Sequence, residues 1–209
     1  MKTLIAIPCM SMIHTRFVKN LISMRLPPET KVVMTENSLV YDARNMMALK
    51  ALEGGYDYVL WLDSDMTFGP DILYQLLEDA KQYDYVTGLI FSRKLPTEPL
   101  ILSKCNWQMT DDGAIHEAER MLDYPMDQLF EIAGSGSAAC IVKTELYDMV
   151  TERFKQAPYQ PLQQFGEDYS FCWKLGQIGV KMACDSRIKV GHIGQIEVTE
   201  EIYLNQNVG

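Results

Sequence analysis

No run of this 209-residue chain approaches the roughly 20 consecutive apolar residues that a membrane-spanning helix needs. The opening apolar stretch, Leu4-Ile5-Ala6-Ile7, stops at Pro8 and is too short for a secretory signal. Positive charge is scarce. There are 19 Lys and Arg against 28 Asp and Glu, a net charge of -9, which disfavours broad binding to nucleic acid or an anionic membrane. A phosphorylated ligand would therefore need a bound metal or a local basic cluster. The five cysteines (Cys9, Cys105, Cys140, Cys172 and Cys184) are odd in number and contain no C-x-x-C, so a disulfide framework and a cysteine-built zinc site are excluded. Reduced, packed thiols and the missing anchor lead to the expectation of a free-standing cytoplasmic protein. Internal repeats and low-complexity segments are also lacking.

What remains is an ordinary globular composition, 47% hydrophobic and 22% charged, in a chain long enough for one domain with a sizeable core. Its first half alternates strand and helix patterns. Strands are expected over 3–7, 31–34, 58–62 and 85–91. Helices are expected over 15–24, 42–53 and after Pro70, which takes a first helical position. Such alternation predicts a mostly parallel sheet flanked by helices, with ligands bound beyond the carboxyl ends of the strands. From about Leu95 the pattern changes to loops and short strands, with a hairpin around Asp111-Asp112-Gly113. A helix capped by Thr144 follows, then another from Glu167, then short strands over 180–183 and 188–190. The expected organisation is one domain over 1–209, its halves being 1–94 and 95–209. The polar tail after Ile196 reads as an edge element or a poorly ordered end.

The most informative segment is Tyr58-Val59-Leu60-Trp61-Leu62-Asp63-Ser64-Asp65. A buried strand explains its apolar part, and packing does not explain two carboxylates one residue apart. In extended geometry both project to one side, where they repel unless a cation or a shared proton joins them. Oxygen ligands suit Mg²⁺ or Mn²⁺. A second segment, Gly166-Glu167-Asp168-Tyr169, puts two carboxylates at a helix start. Helix-dipole stabilisation accounts for them there, and so does a general base. A third, Val190-Gly191-His192-Ile193-Gly194, sets an imidazole between glycines that permit close backbone approach. Of the other histidines, His14 follows the first strand and is a crevice candidate, while His116 reads as solvated.

Together with Ile7-Pro8, Tyr41-Asp42-Ala43-Arg44-Asn45 and Gly134-Ser135-Gly136, these segments resemble the GT-A glycosyltransferases, in particular the family 2-like group. The resemblance runs from Ile5 to Gly194. It implies a single Rossmann-like α/β domain, with a nucleotide-sugar half and a smaller mixed half on the acceptor side. It also implies a sugar transferred from a nucleoside diphosphate donor, uridine-based by preference, to a hydroxyl acceptor on a glycan, a protein or a modified nucleic acid. By the same resemblance Asp63, Ser64 and Asp65 form the Asp-x-Asp motif at the donor. Asp63, Asp65 and His192 hold Mn²⁺ or Mg²⁺. Asp168, or its rival Glu167, is the catalytic base of an inverting reaction. Pro8 and Glu36 fall where base and ribose sit, and Arg44 matches a basic residue near the donor.

Two departures stand out. The loop Thr35-Glu36-Asn37-Ser38 replaces an Asp-Asp-Gly-Ser type of sequence, and the Gly134-Ser135-Gly136-Ser137 turn is small and polar, a packing turn by preference. Arg93, Lys94, Arg187 and Lys189 are candidate charges around a diphosphate. Trp107, Tyr124, Tyr159, Phe165 and Trp173 are read mainly as core. Two rival functions remain. A nucleotidyltransferase would carry a Gly-rich basic loop where this chain has Cys9-Met10-Ser11-Met12-Ile13-His14. A catalytically silent sugar- or nucleotide-binding module would lack Asp65 or the base.

Overall fold

Strands buried on both faces read as unbroken apolar runs, and the central strands here do so because helices cover each side of the sheet. The computed structural model describes residues 1–36, 38–194 and 197–206. Asn37 of the loop singled out above lies outside the described residues, as do Gln195, Ile196 and 207–209. The first half runs β1 (Thr3–Pro8), α1 (Thr15–Ser23), β2 (Thr30–Thr35), α2 (Val40–Glu53), β3 (Tyr58–Leu62), β4 (Met66–Thr67), α3 (Ile72–Asp79) and β5 (Tyr85–Leu89). The second runs β6 (Ile101–Thr110), β7 (Gly113–Arg120), β8 (Leu129–Ile132), β9 (Gly134–Ser135), β10 (Ala139–Lys143), α4 (Glu145–Phe154) and α5 (Glu167–Gln177). It ends with β11 (Met182–Lys189), β12 (Gly191–Ile193), β13 (Glu197–Val198) and α6 (Glu200–Gln206).

Seven strands form the central sheet in the order β2-β1-β3-β10-β5-β11-β8. β1 pairs in parallel with β2 and β3, and β5 with β11. β10 lies antiparallel between β3 and β5, and β8 closes the far edge antiparallel to β11. Five of the seven strands therefore point one way, and the sheet is α/β and mixed. Alternate residues of each strand serve opposite faces. Leu4, Ala6, Val59, Trp61, Cys140 and Val142 pack with Ala43 and Met47 of α2, Tyr147 of α4 and Phe171 of α5. Ile5, Ile7, Leu60, Leu62, Val86 and Ile141 pack with Phe17 of α1 and Ile72, Leu73 and Leu76 of α3. Each fully buried aliphatic side chain of this kind contributes about 1.5–3 kcal/mol, so the three-layer core is the main stabilising feature.

Two small sheets sit beside the main one: β13-β12-β4 and β7-β6-β9. The predicted hairpin is present, with Thr110 opposite Gly113 and only Asp111-Asp112 between the strands. Gly113 takes φ +122°, which a side chain disfavours. No helix among the described residues is long and apolar enough to cross a membrane, and all five cysteines are free.

Some expectations shift. The two short strands expected over 180–183 and 188–190 are one strand, β11, with an irregularity between Asp185 and Lys189. The polar run Asp185-Ser186-Arg187 looks like a break, but Asp185 and Ser186 are buried and hydrogen-bonded. Ser186 donates to Pro125 O at 2.8 Å, and Asp185 accepts Arg187 Nε at 2.9 Å. Pro70 stands outside α3, one residue before its N-cap Asp71. Thr144 occupies the N-cap of α4 without capping it, since its hydroxyl is buried and lacks a hydrogen-bond partner. The tail after the masked residues contributes the edge strand β13 and the helix α6.

Candidate functional site

β1, β2 and β3 are neighbours, so the loops after Pro8, Thr35 and Leu62 converge at one edge of the sheet. Because β10 runs antiparallel, its start joins the same edge, with Ala139 opposite Leu62. β3 ends where the chain turns. The Asp63 N–H donates to Ala138 O at 2.9 Å, and the Met66 N–H returns to Asp63 O at 3.1 Å. The turn ends the extended geometry in which both carboxylates would share a side. Asp63 and Asp65 accordingly meet different partners.

Asp63 is held by Arg44, whose Nη2 lies 3.0 Å from Oδ1 and 3.3 Å from Oδ2. Arg44 is placed on α2 among the buried residues Ala43, Met47 and Ala48, and only 1% of its side chain is exposed. Its guanidinium carbon lies 5.3 Å from the Trp61 ring and 5.9 Å from the Tyr159 ring. Its Nε lies 3.6 Å from Glu167 Oε1 and 3.5 Å from Asp168 Oδ1, attraction without a hydrogen bond. Desolvation opposes the Arg44 charge, but Asp63, Asp168, Tyr159 and Glu167 more than offset it and push its pKa well up. Burial lifts the Asp63 pKa, and Arg44 only partly counters this. Burial and the neighbouring Asp168 charge likewise lift Glu167. One buried cation thus ties the end of β3 to the start of α5.

Asp65 faces elsewhere. The strand pair β4–β12 sets His192 opposite Met66, and the Ile193 N–H donates to Asp65 O at 2.7 Å. His192 Nε2 then stands 3.5 Å from Asp65 Oδ2, while Nδ1 lies 2.9 Å from Phe91 O. A carbonyl only accepts, so Nδ1 carries a proton. In a neutral imidazole Nε2 then turns a bare lone pair toward a carboxylate, an arrangement that a cation relieves. The same backbone contact is the kind that fixes the orientation of metal-ligating histidines. Arg93, just after β5, places Nη1 2.8 Å from the same Asp65 oxygen. Burial would raise Asp65, but Arg93, together with His192 in the form that carries a second proton on Nε2, outweighs it and holds the carboxyl below its usual range. Gly191 is required here, because a Cβ would come within 2.4 Å of Thr67 Oγ1.

Pro8, Cys9, Met10, Ser38, Val40, Ala43, Asp63, Ser64 and Asp65 line a cavity of about 200 Å³. A larger one, about 620 Å³, lies behind β4 and β12, where Arg16 pairs with Glu197 and Lys189 with Glu200. The smaller is the candidate site because the carboxylates open onto it. Of the residues singled out in the sequence, Pro8, Ser64 and Asp65 line it together with Asp63. Glu36 is exposed on its loop, and its charge adds to burial in raising the Cys9 thiol. Asp65 and His192 come together, whereas Asp63 is directed to Arg44. Among the described residues no group of three His, Cys, Asp or Glu converges to hold a metal. A metal held here would rest on Asp65 and His192, with further ligands drawn from elsewhere.

Asp168 lies in the first turn of α5, and a Cβ added at Gly136 would lie 3.8 Å from its Oδ2. About a quarter of the Asp168 side chain is exposed. Gly134 is a packing position, where an added Cβ would come within 2.9 Å of that of Cys172. His14 is exposed before α1, and His116 is exposed with its ring 5.7 Å from Phe165. Arg187 is committed to Asp185 and Asp79, and Lys189 to Glu200. Lys94 is exposed. Tyr159, Phe165 and Tyr124 are buried, and Trp107 and Trp173 pack edge to face at 5.5 Å. Sequence reasoning missed the three-way role of Arg44. The available signal was a single arginine inside the apolar face of a helix.

No protein-family profile matches the sequence, and no curated protein matches it. Solved structures do match. A197 from STIV superposes with a TM-score of 0.60 at 19% identity, covering 93% of this chain and 86% of that one. GalNAc-T7, solved with UDP, GalNAc and Mn²⁺, gives 0.62 at 13% identity over 92% of this chain. S. aureus TarS, residues 1–349, gives 0.53 at 14% identity over 88%. This chain spans 43% of the GalNAc-T7 chain and 58% of the TarS chain. At such identities the likeness is one of fold, and the fold is that of the GT-A glycosyltransferases.

Proposed function

We propose that this protein is a metal-dependent glycosyltransferase. It moves a sugar from a nucleoside diphosphate donor, UDP-linked by preference, to a hydroxyl acceptor with inversion at the anomeric carbon. The observation that carries the reading is the division of the carboxylates. Asp65 faces His192 on one loop pair, and Asp168 stands in the first turn of α5 with about a quarter of its side chain exposed. The GT-A fold and the Mn²⁺ and UDP held by GalNAc-T7 support the same assignment.

In this account the nucleoside enters the cavity beside Pro8 and Ser38, with Glu36 at its mouth for the ribose. Asp65 carboxylate and His192 Nε2 would hold the cation, and Asp63 and Ser64 complete the donor loop. Bound Mn²⁺ or Mg²⁺ supplies Lewis-acid neutralisation of the charge that builds on the departing diphosphate. Asp168 takes the proton of the acceptor hydroxyl as that oxygen bonds to the anomeric carbon and the bond to the diphosphate breaks. Glu167 is the weaker base candidate. It is more buried than Asp168, and burial and the Asp168 charge raise its carboxyl. Arg44 stays out of the chemistry and fixes the distance between donor loop and base. The base must also stand apart from the cation, which would otherwise hold it too firmly ionised to accept a proton.

The test is release of nucleoside diphosphate from a panel of nucleotide sugars, with water or simple alcohols as acceptor. Metal-dependent release, lost in Asp65→Asn, is the expected result. Release that ignores both metal and Asp65 contradicts the reading, and binding without any turnover favours a silent module.

A further inference from the structure

The Asp65 carboxylate already carries a cation of the chain's own. Arg93 Nη1 sits 2.8 Å from Oδ2, the oxygen that His192 Nε2 faces at 3.5 Å. Arg93 comes from the segment after β5 and not from the sheets that build the site, and about half of its side chain is exposed. A half-exposed side chain on such a segment can leave its partner without disturbing the core. Arg44 is the opposite case: it is buried and committed to three carboxylates.

The geometry points to Arg93 as a resident stand-in for the divalent ion, released from Asp65 on loading to become a ligand of the donor's diphosphate. This rests on the metal-dependent reading above and adds to it a residue and an order of events. A divalent ion outcompetes a single guanidinium at a carboxylate, because its charge is double and it also engages the His192 lone pair. The freed guanidinium is then beside the place where the diphosphate brings negative charge. Its planar fork matches phosphate oxygens better than an ammonium would. The exchange also answers the shortage of basic residues. In a chain of net charge -9, one arginine neutralises Asp65 in the empty protein and the diphosphate in the loaded one.

The two roles predict effects of opposite sign for one substitution. The test is titration of Mn²⁺ alone, followed by paramagnetic resonance, into nucleotide-free wild-type, Arg93→Ala and Asp65→Asn proteins. UDP is then titrated calorimetrically at saturating Mn²⁺. Arg93→Ala should bind Mn²⁺ about two- to fivefold more tightly than wild type, the strength of a partly exposed ion pair. It should bind UDP about tenfold or more weakly, the loss of a charge-assisted contact. If Arg93→Ala binds Mn²⁺ no more tightly than wild type while Asp65→Asn abolishes binding, the stand-in role is overturned and the metal site survives. If Arg93→Ala binds Mn²⁺ more tightly yet binds UDP equally well, the transfer to the diphosphate is overturned. If neither wild type nor Arg93→Ala binds Mn²⁺ alone while UDP still binds only with Mn²⁺ present, the stand-in role is overturned and the metal-dependent reading survives; if UDP binding ignores Mn²⁺, both fall.

Discussion

Replacing Arg44 with methionine keeps most of its volume and removes a buried charge that three carboxylates share. Its Nη2 contacts on Asp63 at 3.0 and 3.3 Å disappear, as do the 3.5–3.6 Å attractions of Nε to Asp168 and Glu167. Removing one partner of a buried ion pair costs about 3–5 kcal/mol. The carboxylates retain 18–28% exposure and can recover some hydration, so the lower end, about 3 kcal/mol, applies here. For a domain of this size that corresponds to a fall in melting temperature of about 6–12 °C. The pH dependence gives a second, independent sign. Burial already raises Asp63 and Glu167, and Arg44 lowers both, so losing it raises them further. A carboxyl raised in the folded state stabilises at pH below its unfolded value, and that stability is lost as pH rises through the folded value. The deficit of Arg44→Met should therefore be greatest near pH 7 and shrink toward about pH 5. Thermal unfolding followed by circular dichroism at both pH values measures this. A fall of less than about 2 °C at pH 7, or a gap that does not narrow in acid, refutes the buried-hub argument.

Asp168→Asn should lower kcat by about 10²–10⁴-fold with little change in donor KM, the signature of a lost base, while Glu167→Gln should cost less; steady-state kinetics separates them, and the reverse ranking would reassign the base. Gly136→Val should suppress transfer by crowding Asp168 Oδ2, which lies 3.8 Å from an added Cβ; activity measured beside thermal stability on one preparation checks it, and unchanged transfer would contradict it. Asp79, raised to about 7 by burial and by the hydrogen bond its protonated carboxyl donates to Asp185, should lend stability that is full below about pH 4 and is lost as pH rises to 7. In Asp79→Asn that slope between about pH 4 and 7 should vanish in denaturant melts.

The alternation of strands and helices was legible because doubly covered strands must be apolar throughout, as in Leu4-Ile5-Ala6-Ile7 and Val59-Leu60-Trp61-Leu62. The antiparallel insertion of β10 between β3 and β5 was not legible, because pairing order leaves no local pattern. β11 was split in two because a buried polar pair, Asp185 and Ser186, looks in sequence like a solvated break. At the site, the Asp63-Ser64-Asp65 turn and His192 stood out as residues that packing does not require. Their partition did not. Whether Asp63 answers to a metal or to Arg44 depends on a turn at Ser64 and on an arginine set by helical periodicity within the core. Arg93 was visible only as one of several basic residues. Its partner was fixed by the meeting of the segment after β5 with β4 and β12.

The central claim is a donor site built on Asp65. Calorimetric titration of nucleoside diphosphates into the protein, with and without Mn²⁺, tests it most directly. The account predicts that UDP binds only when Mn²⁺ is present and that Asp65→Asn abolishes the binding. Equal binding without the metal, or in Asp65→Asn, would contradict it and return Asp63-Ser64-Asp65 to an acidic turn at the end of a strand.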